Sequence, residues 1–382
     1  MKLKFTHLAF GCALFALSSR GQTFKSGSDG SLLALNVTTD TTLDVPADGI
    51  FNYTTINIAA NKTLRFKRNA ANTPVYLLAS GAVTIAGVID VSGNQGSNVA
   101  GGLGGPGGFD GGSPGSLGVA PGAGQGPGAG KGGAPGINAD GAGGGSFGTV
   151  GASGSSANKG AAYGNALLVP LVGGSGGGGG IGTPGGGGGG GAGAVLVASS
   201  IRIDLTGRVQ ASGGGNQGNA SNGGSGGGVR FVAPIMAGNG TIDARGSGGG
   251  GTGRIRMDAI ERSGMNFFFQ EAGVTSVGSL LLVFPNPLPR LDIIEAAGTV
   301  IAEGSGPVLL QLPFGSSPNR TIVVQARDFN AEVPLTVVLT PDHGASLSYT
   351  SKINNTGANP ATVKVDVVLP VNEQTTVHVF SK

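Results

Sequence analysis

Tryptophan is absent from this sequence of 382 residues, tyrosine occurs four times and cysteine once. The tyrosines are dispersed at positions 53, 76, 163 and 349, so no aromatic platform for stacking sugar rings is evident. The lone cysteine, Cys12, lies in an N-terminal apolar segment. That excludes a disulfide framework and leaves no cysteine-based metal spacing. Charge is scarce as well: 11% of residues are charged, the net charge is +3 and the basic residues form no runs, which gives no reason to invoke nucleic acid or an anionic membrane. Beyond the N-terminus no apolar run reaches the roughly 18 residues of a transmembrane span. No window carries a 3.6-residue apolar stripe, so little helix is expected. Outside the N-terminal segment the only histidines are His343 and His378, with no serine elbow, which argues against a nucleophilic triad; each reads as a solvated residue at a strand edge.

What is abundant is glycine, 79 residues, about three times the ordinary share. The chain starts MKLKFTHLAFGCALFALSSRGQ, with a basic head at Lys2 and Lys4, an apolar stretch from Phe5 to Leu17, and small residues after it. This is the pattern of a secretory signal, expected over residues 1–21 with cleavage near Ser18 to Gly21. The apolar run ALFAL continues beyond Cys12, which suits a plain signal better than a lipid-attachment site.

From about residue 30 to 95 the chain alternates apolar and polar residues with a bias to Thr, Val and Ile, the pattern of short strands. One phrase then recurs. YLLASGAVTIAGVIDVSG (76–93), VLVASSIRIDLTGRVQASG (195–213) and VRFVAPIMAGNGTIDARG (229–246) share a single plan of three short strands with a glycine turn before the third; GRIRMDAIERSG (253–264) is a partial fourth copy. Three strands per repeat predict a parallel β-helix, in which one coil cannot bury its own apolar face and stacking supplies the core. Glycine-rich stretches follow each copy at the same point and should leave the same edge.

The longest insertion, 96–193, holds 44 glycines. It admits two readings: a flexible surface loop with little apolar surface to offset chain entropy, or extended polyproline-II-like strands packed as closely as glycine permits. There is no strict three-residue period, which excludes collagen. After FPNPLP at 284–289 glycine nearly vanishes, with six in residues 285–382. Strand-like runs follow: LDIIEA, TVIAEG, PVLLQLP, RTIVVQAR, LTVVLTP, LSYTSKI, TVKVDVVLP and TTVHVFS. Seven or eight strands predict an immunoglobulin-like or fibronectin-like β-sandwich. The expected fold class is therefore all-β: a signal at 1–21, a right-handed parallel β-helix over 22–284 carrying the insertion at 96–193, a proline-rich linker at 285–289 and a sandwich over 290–382.

The aligned endings GVIDVSG, GRVQASG and GTIDARG, with the glycine-rich stretches after them, resemble exported glycine-rich bacterial proteins with a right-handed parallel β-helix of pectate-lyase-like shape. The resemblance covers about residues 50–265 and implies an architecture, not an activity.

For catalysis, Asp90, Gln210 and Asp243 fall in one column of the repeat. Glycoside hydrolysis needs two carboxylates about 5–10 Å apart, so Asp90 and Asp243 are the candidate pair, although such a column more often makes ladder hydrogen bonds. Arg208 and Arg245 flank it and are expected to face opposite ways. No acidic cluster offers calcium its oxygen ligands. GGFDGG at 107–112 occurs once, and QGPGAGKGG at 125–133 lacks the residues of a phosphate loop. No cofactor or metal is expected. MNFFFQ (265–270) and SLLLVF (279–284) are expected to cap the helix and meet the sandwich. The sequence thus points to an exported structural, adhesive or display protein of the cell surface or extracellular space. Its partners are unspecified, with extracellular polysaccharide or surface components as candidates. The alternative is a carbohydrate-active β-helix enzyme.

Overall fold

The computed structural model describes residues 24–133, 141–152, 158–182, 185–218, 221–270 and 274–381; the expected signal segment lies outside them. The described residues contain 24 strands and no α-helix. Alternating β-branched runs give the coils. The first holds β1 (Leu35–Val37), β2 (Thr41–Asp44) and β3 (Ile50–Tyr53), and the second β4 (Ile56–Ile58), β5 (Thr63–Lys67) and β6 (Val75–Ala79). Three more follow: β7 (Val83–Ile85), β8 (Val88–Asp90) and β9 (Ala194–Ser199); β10 (Arg202–Leu205), β11 (Arg208–Gln210) and β12 (Gly228–Val232); β13 (Ile235–Ala237), β14 (Thr241–Asp243) and β15 (Arg254–Asp258). A last coil contributes β16 (Phe268–Gln270) and β17 (Val274–Gly278).

Corresponding strands of successive coils pair in parallel and build three sheets, β1-β4-β7-β10-β13, β2-β5-β8-β11-β14-β16 and β3-β6-β9-β12-β15-β17. The repeated phrases lie directly over one another. Leu77, Val197 and Phe231 stack in the third sheet, Val83, Ile203 and Met236 in the first, and Ile89, Val209 and Ile242 in the second. All nine are fully buried in one apolar core. The two earliest coils belong to the same stack.

The central strands β9 and β12 of the third sheet are buried on both faces, which is why AVLVAS and GVRFV read as nearly continuous apolar runs. Phe147, Leu168 and Leu171 of the long insertion cover its outer face together with Leu281, Val283 and Phe284. So the stretch after the last coil lies along the third sheet. Phe269 packs against the core of the stack, and β16 extends the second sheet as a further rung instead of merely capping it. A buried ion cluster holds the stretch in place. Arg230 donates to the Leu282 carbonyl at 2.6 Å, and Asp258 accepts from Arg256 at 2.5 Å and from the Leu280 amide at 3.1 Å. Burial pulls the Arg230 guanidinium below its usual pKa, an effect the Asp258 carboxylate opposes.

The glycine-rich insertions leave at one corner, between the second and third sheets, and form a packed body. Its centre is the run 173–180. The amides of Gly174, Gly177 and Gly180 donate to the carbonyls of Ala192, Gly189 and Gly186, at 2.8, 2.9 and 2.7 Å. Their carbonyls accept from Phe109, Gly112 and Gly115, at 3.0, 2.9 and 3.0 Å. On further sides Gly176 and Gly179 donate to Gln125 and Gly122, and the carbonyls of Ser175 and Gly178 accept from Ser225 and Asn222. Partners recurring every third residue are the mark of a polyproline-II-like strand, which has three residues per turn and must bond outward because it has no internal hydrogen bonds. A Cβ on Gly174, Gly177, Gly188 or Gly191 would overlap backbone atoms of a neighbouring strand. This close approach explains the glycine, and over its described residues the tract follows the packed reading rather than the flexible one.

The C-terminal region has seven strands: β18 (Arg290–Ala296), β19 (Thr299–Val300), β20 (Asn319–Arg327), β21 (Glu332–Pro341), β22 (Leu347–Asn354), β23 (Ala361–Val368) and β24 (Thr375–Ser381). They make two antiparallel sheets, β19-β18-β20-β23 and β22-β21-β24, around Val324, Leu335, Val337, Leu339 and Ile353. The expected strand PVLLQLP does not form. Residues 307–313 join no sheet, Leu309 is 90% exposed, and two prolines that cannot donate to a ladder bound the run.

Candidate functional site

The second sheet carries the column seen in the sequence. Gln210 pairs with Asp90 on one side and with Asp243 on the other. Arg65 lies beyond Asp90, and Gln270 beyond Asp243. Asp90 and Asp243 are therefore two rungs apart, about 10 Å along the stack. Neither carboxylate is idle. Asp90 faces Arg65 at 3.4 Å and accepts from the Ser92 amide at 3.1 Å. Asp243 is fully buried, is ion-paired with Arg208, and accepts from Arg245 Nε and Nη2 at 3.0 and 3.1 Å. Arg208 and Arg245 thus converge on one carboxylate instead of facing apart. Burial by itself would raise the Asp243 pKa, but the hydrogen bonds from Arg245 and Arg208 outweigh it and hold the carboxyl below its usual range. A general acid needs the opposite shift. The geometry is that of a ladder of paired charges.

A second place collects polar groups. A cleft of about 710 Å³ opens where three parts of the chain meet: the β5–β6 connection, the first glycine strands, and β24 of the C-terminal domain. Arg68 and Asp110 span it with two parallel hydrogen bonds of 2.5 and 3.2 Å, and the Gly104 amide also donates to Asp110, at 2.7 Å. Asn72 ties the wall together: it accepts from the Gly107 amide at 3.0 Å and donates to the Gly108 carbonyl at 2.5 Å. The aspartate of GGFDGG is thus an arginine partner in the wall.

His378 lies at the rim. It packs edge-on to Phe109 and stacks on Phe380, with ring centres 5.7 and 5.6 Å away. The expectation that it is solvated is corrected by the burial of its Nδ1, which has no partner among the described residues. Burial pushes its pKa below 6.5 and the Asp110 carboxylate partly opposes this, so the ring is neutral at pH 7. His343, half-exposed, sits 2.9 Å from Glu373. The contact between the two halves of the molecule is made here by Phe109, His378 and Phe380, and by Pro121, whose carbonyl accepts from the Gly344 amide at 3.3 Å. The signal available in the sequence was the alternation of Thr376, His378 and Phe380, three side chains on one face of a strand.

Compared with known protein families, with curated proteins and with solved structures, the chain matches none.

Proposed function

We propose that this protein is an exported structural or display protein whose stacked coils form a right-handed parallel β-helix and whose C-terminal domain is an immunoglobulin-like or fibronectin-like sandwich. The handedness follows from the strong preference of parallel crossover connections. Two antiparallel sheets over a shared core support the sandwich. Export is supported by the Lys2 and Lys4 head followed by the apolar run to Leu17. The resemblance to exported glycine-rich bacterial proteins belongs to the same reading.

The observation that carries it is the consolidation of three insertions into one body of backbone hydrogen bonds at a single corner. A rigid platform held beside a stack suits presentation at a surface. The competing reading, a polysaccharide-cleaving enzyme, needs an acid and a base, whereas Asp90 and Asp243 are each committed to arginine. Cell fractionation with an antibody to the chain should find it outside the cytoplasm, and a screen against plant and bacterial polysaccharides should find no cleavage. Cleavage that disappears in Asp90→Ala or Asp243→Ala would overturn the proposal.

A further inference from the structure

We propose that the cleft between the glycine strands and β24 binds an uncharged oligosaccharide. The first ground is placement. The cleft lies at a domain junction and its volume, about 710 Å³, is that of a small-molecule site. Two neighbouring segments, 66–72 and 92–110, and the remote strand β24 build it.

The second ground is charge. Arg68 is spent on Asp110, and Lys67 reaches Asp44 at 3.4 Å. With its cations and its anion already matched, the cleft offers no unopposed charge for an ionic ligand. The third ground is hydrogen bonding. Asn94, Gln125 and Thr376 line the cleft, and their side chains carry no hydrogen bond among the described residues. Each is at once donor and acceptor. A sugar hydroxyl is both as well, so one class of group on the ligand satisfies them all. Leu103, half-exposed, and the partly exposed Phe109 add apolar surface for the carbon faces of a sugar ring.

A peptide would suit the site less well. Its charged termini and side chains would find no complement, and its repeating amide pattern calls for a strand-like row of backbone partners rather than scattered side chains. The inference goes beyond the display role and stands apart from it, since a platform needs no ligand and a bound sugar needs no platform.

The test is a glycan array of neutral and uronate-containing oligosaccharides probed with the full chain, then calorimetry with the strongest neutral ligand and competition by a short-peptide library. A neutral oligosaccharide should bind, at least fivefold more weakly to Asn94→Ala, Gln125→Ala and Thr376→Ala, and with unchanged affinity to Thr42→Ala on the outer face of the second sheet. Hydrogen exchange on the wild-type chain provides a readout without variants: the ligand should protect residues 66–72 and 103–110. The proposal fails if no neutral oligosaccharide binds, if only uronates or peptides bind, if the three variants bind like wild type, or if protection falls elsewhere. Failure on the array would leave the display reading standing, because that reading is tested by fractionation and the cleavage screen.

Discussion

Asp243 shows how a residue that suggests catalysis serves the scaffold. Its carboxylate is buried while Arg208 and Arg245 remain about one-third exposed, so solvent screens part of their attraction. Asp243→Asn should still cost about 1–3 kcal/mol, because two half-buried guanidinium groups lose the buried charged acceptor they share. The acid dependence has a definite sign. A carboxyl whose folded pKa lies below 3.8 contributes its stability fully above pH 3.8 and loses it as the pH falls through the depressed value. Urea unfolding between pH 7 and pH 2 should therefore steepen below 3.8 in the wild type and flatten in the variant. Glycine is just as specific at this scale. Gly177→Ala places a methyl group against the Asn222 carbonyl and should destabilise by about 1–3 kcal/mol or more, whereas Gly357, with open space around it, should tolerate alanine within about 0.5 kcal/mol. Thermal melts of the two variants check the contrast.

Among the elements, alternation reveals strands with or without a repeat, and an apolar run bounded by prolines misleads. Ile89, Val209 and Ile242 announce a ladder because the same phrase surrounds each. PVLLQLP is as apolar as a strand, yet its flanking prolines remove the donors that pairing needs. The two coils from Leu35 to Ala79 lack the glycine-rich stretch that makes the later ones recognisable, although their interior face is the same. The polyproline-like strands were legible only as one of two possibilities. Their order comes from contacts such as Gly174 with Ala192 and Phe109 with Gly174, which join segments many residues apart and leave no local periodicity to read. The candidate carboxylates were placed correctly in one column. What the sequence did not reveal was that both flanking arginines turn toward Asp243, since side-chain direction at a turn does not follow from spacing.

Across the whole molecule, the joint between the stacked coils and the C-terminal sheets leaves little trace in the sequence beyond the alternation of Thr376, His378 and Phe380, because it is made by a few residues far apart in the chain, Phe109 and Pro121 against Gly344, His378 and Phe380. It should respond to pH. The folded pKa of His378 lies below 6.5, so the separated state binds a proton that the docked state excludes, and docking is fully favoured above pH 6.5 and weakens as the pH falls below it. Asp110 and Arg68 are the charged groups nearest by in the cleft, and their mutual pairing leaves this sign unchanged. Small-angle scattering should show the particle extending between pH 7 and pH 5, and His378→Phe should abolish the change.

A strand with three residues per turn also has an arithmetic. Inserting one glycine after Gly178 would rotate everything downstream by about 120°, turning each amide away from its acceptor; inserting three would restore every orientation and merely lengthen the rod by about 9 Å. Triplet insertions should melt close to the parent temperature, with single and double insertions well below it. Lineages of such a chain would then be free to grow or shrink these rods only in whole turns.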